Sequence, residues 1–223
     1  ITVYFSSEQT FWPLLCRAIA SRPQLPGITL RCHWTRKHKA ETLLNFLQAV
    51  KENRHIQEVD LHQVSINLPS VSLLVDIAEQ VNKICLFNCK FTRLMRSSIL
   101  PPPRSGLITH LVLYYCERQL VDQILQEATG SHVEKLYYTK YQYNEACDEL
   151  ANFLQQSKVQ ELHLIYMEIT EKVMNALISN RDIGVLIFHS CSFNRRSKKL
   201  LPKIPALTKI TLHLNFEIGR DTP

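Results

Sequence analysis

Three sets of side chains in this chain have the types and spacing to do chemistry. Cys85 with Cys89, and His189 with His213, are residues that ligate metal ions or serve as nucleophile and base. The run from Asn194 to Lys203, NRRSKKLLPK, places Arg195, Arg196, Lys198, Lys199 and Lys203 close enough together to hold phosphate. Phe87, Tyr114, Tyr137, His163 and His189 recur at intervals of 23 to 27 residues, a regularity that would line rings up on one surface.

The first two sets have simpler readings. Two ligands without a third make no convincing metal site, and alternation along a strand sends Cys85 and Cys89 to different sides. The basic run reads as the solvated face of a last helix, because nucleic-acid binding recruits aromatics for stacking beside the cations and none stands there. Only five glycines are present, and neither GxGxxG nor GxxxxGK[ST] occurs. No nucleophile elbow or lined pocket is signalled either. A non-enzymatic chain without cofactor or metal is therefore expected, and the ring-bearing set becomes the candidate site.

The elements that position these rings follow from an internal repeat. Nine apolar-x-apolar units begin at Val3, Ile28, Val59, Ile84, Leu111, Leu136, Leu162, Leu186 and Ile210, at intervals of 24 to 31 residues. An aliphatic residue precedes all but the first by three positions, from Leu25 and Ile56 through Ile183 and Leu207. Three positions after the pair stand Cys89, Cys116 and Cys191, among others. Two copies, VNKICLFNCKF from Val81 and IGVLIFHSCSF from Ile183, run in the same register. Between units, apolar residues fall at helical spacing, as in Leu43, Leu44 and Leu47, or Val173, Met174 and Leu177.

This pattern resembles the leucine-rich-repeat family, whose unit reads LxxLxLxx(N/C)xL, over nearly the whole chain. Intervals near 25 with cysteine at the Asn/Cys position are similar to the cysteine-containing repeats of F-box proteins. The ribonuclease-inhibitor-like repeats of nucleotide-binding immune receptors are the alternative. The resemblance implies an α/β solenoid, about nine strand units in a curved parallel sheet inside and helices outside. It implies one domain over residues 1–223. The long second interval predicts a helix from Lys39 to His55, and the Pro-rich stretch 97–107 predicts a loop over the convex side. Phe11 to Leu15 is expected in the core of the first helix.

If the apolar pairs point inward, two ladders face outward on the concave side. One reads Thr29, Asp60, Cys85, Val112, Tyr137, His163, Ile187, Thr211, and the other Arg31, His62, Phe87, Tyr114, Thr139, Ile165, His189, His213. Clustered exposed aromatics indicate a partner. Phe87, Tyr114, Tyr137, His163, Ile165 and His189 are therefore the expected contacts to a protein partner on the concave face, with Val112 and Ile187 between them and Tyr115 and Tyr166 at the edge. The function expected is recognition, as the substrate-binding part of an F-box-type ubiquitin ligase adaptor or the ligand-sensing repeats of an immune receptor. Nucleic acid or phosphate on the basic helix is the lesser expectation.

Composition agrees with a folded domain. The 223 residues are 45% hydrophobic and 21% charged, and a chain of this size buries roughly 70% of its unfolded surface without disulfides. Its longest apolar runs, such as Val71 to Val75, fall far short of the roughly 20 residues of a membrane span. Seven cysteines, an odd number, and no Asn-x-Ser/Thr sequon point to the cytoplasm or nucleus. Ile1 opens directly on a strand pattern, as in a piece of a longer protein.

Overall fold

The computed structural model describes residues 1–4, 11–31, 40–92, 104–139, 148–205 and 209–213. Lys39, the stretch 97–103 and Leu207 lie outside them. Nine strands form one parallel sheet: β1 (Thr2–Tyr4), β2 (Gly27–Arg31), β3 (Glu58–His62), β4 (Lys83–Phe87), β5 (Leu107–Tyr114), β6 (His132–Thr139), β7 (Lys158–Ile165), β8 (Val185–His189) and β9 (Lys209–His213). They lie in chain order from edge to edge. The order never reverses, so the sheet lacks the switch point at which doubly wound folds bind ligands.

Among the described residues seven helices lie between them: α1 (Phe11–Ser21), α2 (Ala40–Glu52), α3 (Leu68–Ala78), α4 (Arg118–Glu127), α5 (Asp148–Gln156), α6 (Glu171–Ser179) and α7 (Arg195–Leu200). Each packs against the next. Helix α2, at 13 residues the longest among the described residues, ends at Glu52 rather than at the expected His55, and Lys39 lies outside the described residues. The Pro-rich stretch is also corrected at one end, because Leu107 already belongs to β5.

Strand alternation explains the core. From β2 to β8 both members of each apolar pair are buried, and so are Leu25, Ile56, Val81, Ile108, Val133, Val159 and Ile183 ahead of them. With the apolar helix faces, such as Leu43, Phe46, Leu47 and Val50 of α2, they make one continuous cluster. Each fully buried aliphatic side chain contributes about 2 kcal/mol. At the last edge the pair Ile210 and Leu212 is 49% and 45% exposed. Trp12 is buried and Leu15 packs on the core, while Leu14 points to solvent, so the Phe11 to Leu15 stretch is only partly core.

The turn leaving each strand is built the same way. Gln63, Asn88, Tyr115, Tyr166 and Ser190 each directly follow a strand and adopt φ between 51° and 59°. Such a conformation costs a non-glycine residue on the order of 1 kcal/mol, offset here by pairing. The amides of Gln63, Asn88 and Tyr166 donate to the carbonyls of Phe87, Tyr114 and His189 on the next strand at 2.8, 2.8 and 2.9 Å. One residue further on, the buried Cys89, Cys116 and Cys191 thiols donate to Leu61, Leu86 and Leu164 carbonyls of the preceding strand at 3.3, 3.4 and 3.1 Å. The cysteines are thus structural donors in the turns. Just past them, Ser65–Ile66 pairs with Lys90–Phe91, and Glu168–Ile169 with Ser192–Phe193, as short parallel bridges.

At the opposite end of two units a buried asparagine does comparable work. Asn53 donates to the Ile19 and Arg22 carbonyls at 2.6 and 2.8 Å and accepts from the His55 amide. Asn180 donates to Leu154 and Ser157 at 2.7 and 3.0 Å and accepts from Asp182. Each satisfies carbonyls left over where the preceding helix ends.

Candidate functional site

The sheet face turned away from the helices carries the candidate residues, and strand pairing fixes their order. Cys85, Val112, Tyr137, His163 and Ile187 are successive register partners from β4 to β8. Phe87, Tyr114, Thr139, Ile165 and His189 form the adjoining row. All six expected contact residues therefore lie in two neighbouring rows on five consecutive strands, about 4.8 Å apart. His213 is the register partner of His189.

Exposure is lower than the ladder arithmetic implied. None of the six is fully exposed; each is half-buried among its neighbours. Val112, expected in the patch, is only 5% exposed, and Thr139 is buried too. Thr139 lies between the larger Tyr114 and Ile165, and Val112 lies beside Tyr137, placements across strands that alternation alone does not anticipate. Tyr115 is the most open ring of the group, at 38%.

The rings are held by one another. Tyr137 stacks on His163 with centroids 4.0 Å apart, His62 lies 5.4 Å from Phe87, Phe87 meets Tyr115 edge-on at 6.0 Å, and Tyr166 meets His189 edge-on at 5.6 Å. Tyr115 and Tyr166 owe their positions to the left-handed turn conformation described above. Burial pushes the Tyr114 phenol above its ordinary pKa, so it stays protonated and able to donate.

A third row, absent from the sequence reading, underlies His163. Lys135 and Glu161 are register partners two residues before Tyr137 and His163. His163 Nε2–H donates to Glu161 Oε1 at 2.7 Å, and Lys135 Nζ reaches Glu161 Oε2 at 3.2 Å. Burial raises the Glu161 pKa, but the hydrogen bonds from His163 and Lys135 outweigh it and hold the carboxyl below its ordinary value. The imidazole is thereby oriented, with one face against Tyr137. The signal that could have found this row is simple: the outward ladder extends two residues back along each strand.

Beside Phe87 the chemistry differs. Burial, helped by the Asp60 charge, pushes the Cys85 thiol up to about 11, so it is no nucleophile at neutral pH. His62 titrates below its ordinary value through burial and the nearby Arg31 cation, against the opposing pull of Asp60. Among the described residues no group of three or more His, Cys, Asp or Glu side chains is placed to hold a metal ion. No described helix is long and apolar enough to cross a membrane. The basic residues Arg195, Arg196, Lys198, Lys199 and Lys203 are solvent-exposed on α7 and the turn after it.

No family model matches the chain, and no curated protein matches it either.

Proposed function

We propose that this chain is a leucine-rich-repeat solenoid that recognises a protein partner through the open face of its sheet and carries out no catalytic step of its own. The observation that carries this reading is the block formed by Phe87, Tyr114, Tyr137, His163, Ile165 and His189. These rings and one aliphatic side chain occupy contiguous positions, are braced by stacking and by the Lys135–Glu161–His163 bonds, and still present surface to solvent. Aromatic side chains held rigid before binding lose little conformational entropy on contact, which is what binding hot spots need. Support for the repeat class comes from the strictly sequential parallel strands and from cysteine thiols repeating the same turn bond. The proposed setting is cytoplasmic or nuclear, where the thiols of Cys16, Cys85, Cys89, Cys116 and Cys191 stay free. Within that reading, the chain is the recognition part of a larger assembly, an F-box-type adaptor or an immune receptor.

The test is affinity capture with the chain and with a Tyr114→Ala, Tyr137→Ala, His163→Ala variant of matched circular dichroism, followed by binding of the purified captured protein. Loss of three central side chains at about 1 to 1.5 kcal/mol each weakens binding by roughly 100-fold or more. Capture of the same proteins by both chains, or a catch that disappears with nuclease, refutes the assignment to this face.

A further inference from the structure

Charge is unevenly placed along the chain. Between Asp182 and Glu217 the sequence holds no acidic residue but six cations, Arg195, Arg196, Lys198, Lys199, Lys203 and Lys209. The formal net charge of the whole chain is also +6, so the excess sits in the last unit and the remainder is balanced. Among the described residues one carboxylate reaches the cations of α7 and the turn after it: Glu171 of α6, 3.6 Å from Arg196. Lys198 stands about 200° further round the helix, at roughly 100° per residue. It therefore lies on the flank away from α6, and it is exposed, as are Lys199 and Lys203.

The sheet is open at the same end. β9 is its last strand and pairs on one side only, with β8. Its inward residues Ile210 and Leu212 are 49% and 45% exposed, whereas Val3, the inward residue of the opposite edge strand, is buried. Main-chain groups are open there too. Gln63, Asn88 and Tyr166, which share the strand parity of the inward pairs, donate their amides forward to the next strand, while Thr29, of the other parity, donates back to Ile1. Ile210 and Leu212 have the forward parity, so their amides and carbonyls point to the free edge, where another strand can add.

We infer that β9 receives an acidic, extended segment of a partner protein as one more strand. The segment's apolar side chains continue the inner layer past Ile210 and Leu212, and its carboxylates meet the cations of α7 and the turn after it. This surface is separate from the tyrosine–histidine block and requires nothing of it. Nucleic acid suits the end less well, because base stacking calls for open rings. Phe193, the ring nearest α7 in the sequence, packs edge-on against the buried Phe188 at 5.1 Å.

The probe is an acetylated, amidated heptapeptide alternating glutamate with valine, titrated at micromolar concentration into the ¹⁵N-labelled chain. Saturable shifts centred on the Ile210, Thr211 and Leu212 amides are expected, weakening as salt rises. A peptide with lysine in place of glutamate, and a copy N-methylated at alternate peptide bonds so that it cannot pair with a strand edge, bind about ten-fold more weakly or not at all. Lys198→Glu with Lys199→Glu weakens binding of the acidic peptide about ten-fold, and both positions are exposed, so the core is untouched. The Tyr114→Ala, Tyr137→Ala, His163→Ala variant binds the peptide as the unaltered chain does. Absence of saturable shifts at β9, equal binding of the lysine or N-methylated peptide, or unchanged affinity of the double lysine variant overturns the inference. Loss of the peptide by the tyrosine–histidine variant places the contact on the open face and overturns it as well. Tighter binding of oligothymidylate than of the acidic peptide at the same amides assigns this end to nucleic acid and likewise overturns it.

Discussion

Asn180 offers the sharpest test of how one repeat is fastened to the next. Its side chain is 7% exposed and makes three bonds, to the Leu154 and Ser157 carbonyls at 2.7 and 3.0 Å and from the Asp182 amide at 3.2 Å. Asn180→Ala leaves two buried carbonyls and one amide without partners. With each orphaned group worth about 1 kcal/mol or somewhat more, the loss comes to about 3 kcal/mol. Asn180→Asp is the more telling change: it keeps shape and volume but replaces the donor with a second acceptor facing two carbonyls, so the loss should reach about 4 kcal/mol. Urea denaturation followed by circular dichroism reads both. At a slope of about 2.5 kcal/mol/M the midpoint falls by roughly 1.2 M for alanine and 1.6 M for aspartate. Hydrogen exchange should localise the loosening to the end of α5. An aspartate variant within about 0.5 kcal/mol of wild type, or more stable than the alanine variant, would refute the reasoning, because it would mean that Asn180 fills space rather than bridging carbonyls.

Other consequences follow from the same geometry. Arg104 reaches Asp76 at 2.6 Å, Glu127 at 3.5 Å and Glu79 at 3.9 Å with its side chain mostly covered, so Arg104→Met leaves three carboxylates facing one another. A loss of about 2 kcal/mol, seen as a melting temperature lower by roughly 4 to 8 °C, is expected. Glu161 has a folded pKa below its unfolded value, so its contribution is present above about pH 4.3 and fades as pH falls through the folded value. The stability difference between wild type and Glu161→Gln, read from urea midpoints, should therefore narrow between pH 6 and pH 3; a constant difference would contradict the bonding seen at Glu161. Cys85, with its thiol at about 11, should alkylate at pH 8 roughly 100-fold more slowly than an unperturbed thiol and accelerate tenfold per pH unit. Peptide-resolved iodoacetamide kinetics check this, and a rate near that of free cysteine would show the side chain to be open to water.

The strand register was legible in the linear sequence because its cause is local. Val59-Asp60-Leu61 and Leu186-Ile187-Phe188 alternate core and face within three residues, and pleating alone decides which side each occupies. The same logic identified Cys89, Cys116 and Cys191 as turn residues and placed Tyr137 beside His163 on adjacent strands. Tertiary structure decided the rest. Val112 became buried with the small Cys85 on one flank and the large Tyr137 on the other, and nothing in β5 itself encodes that. Lys135 and Glu161 belong to a row that also holds Glu58, Lys83 and Val185, so the spacing marks the row but not which charges in it pair. Their pairing exists only once β6 and β7 lie side by side. The tetrapeptides Asn53-Arg54-His55-Ile56 and Asn180-Arg181-Asp182-Ile183 were visible as text, yet their meaning lies in carbonyls at the end of a helix one repeat earlier. Alternation is a property of one strand, whereas packing and ion pairing depend on which side chains separate strands bring to the same few ångströms.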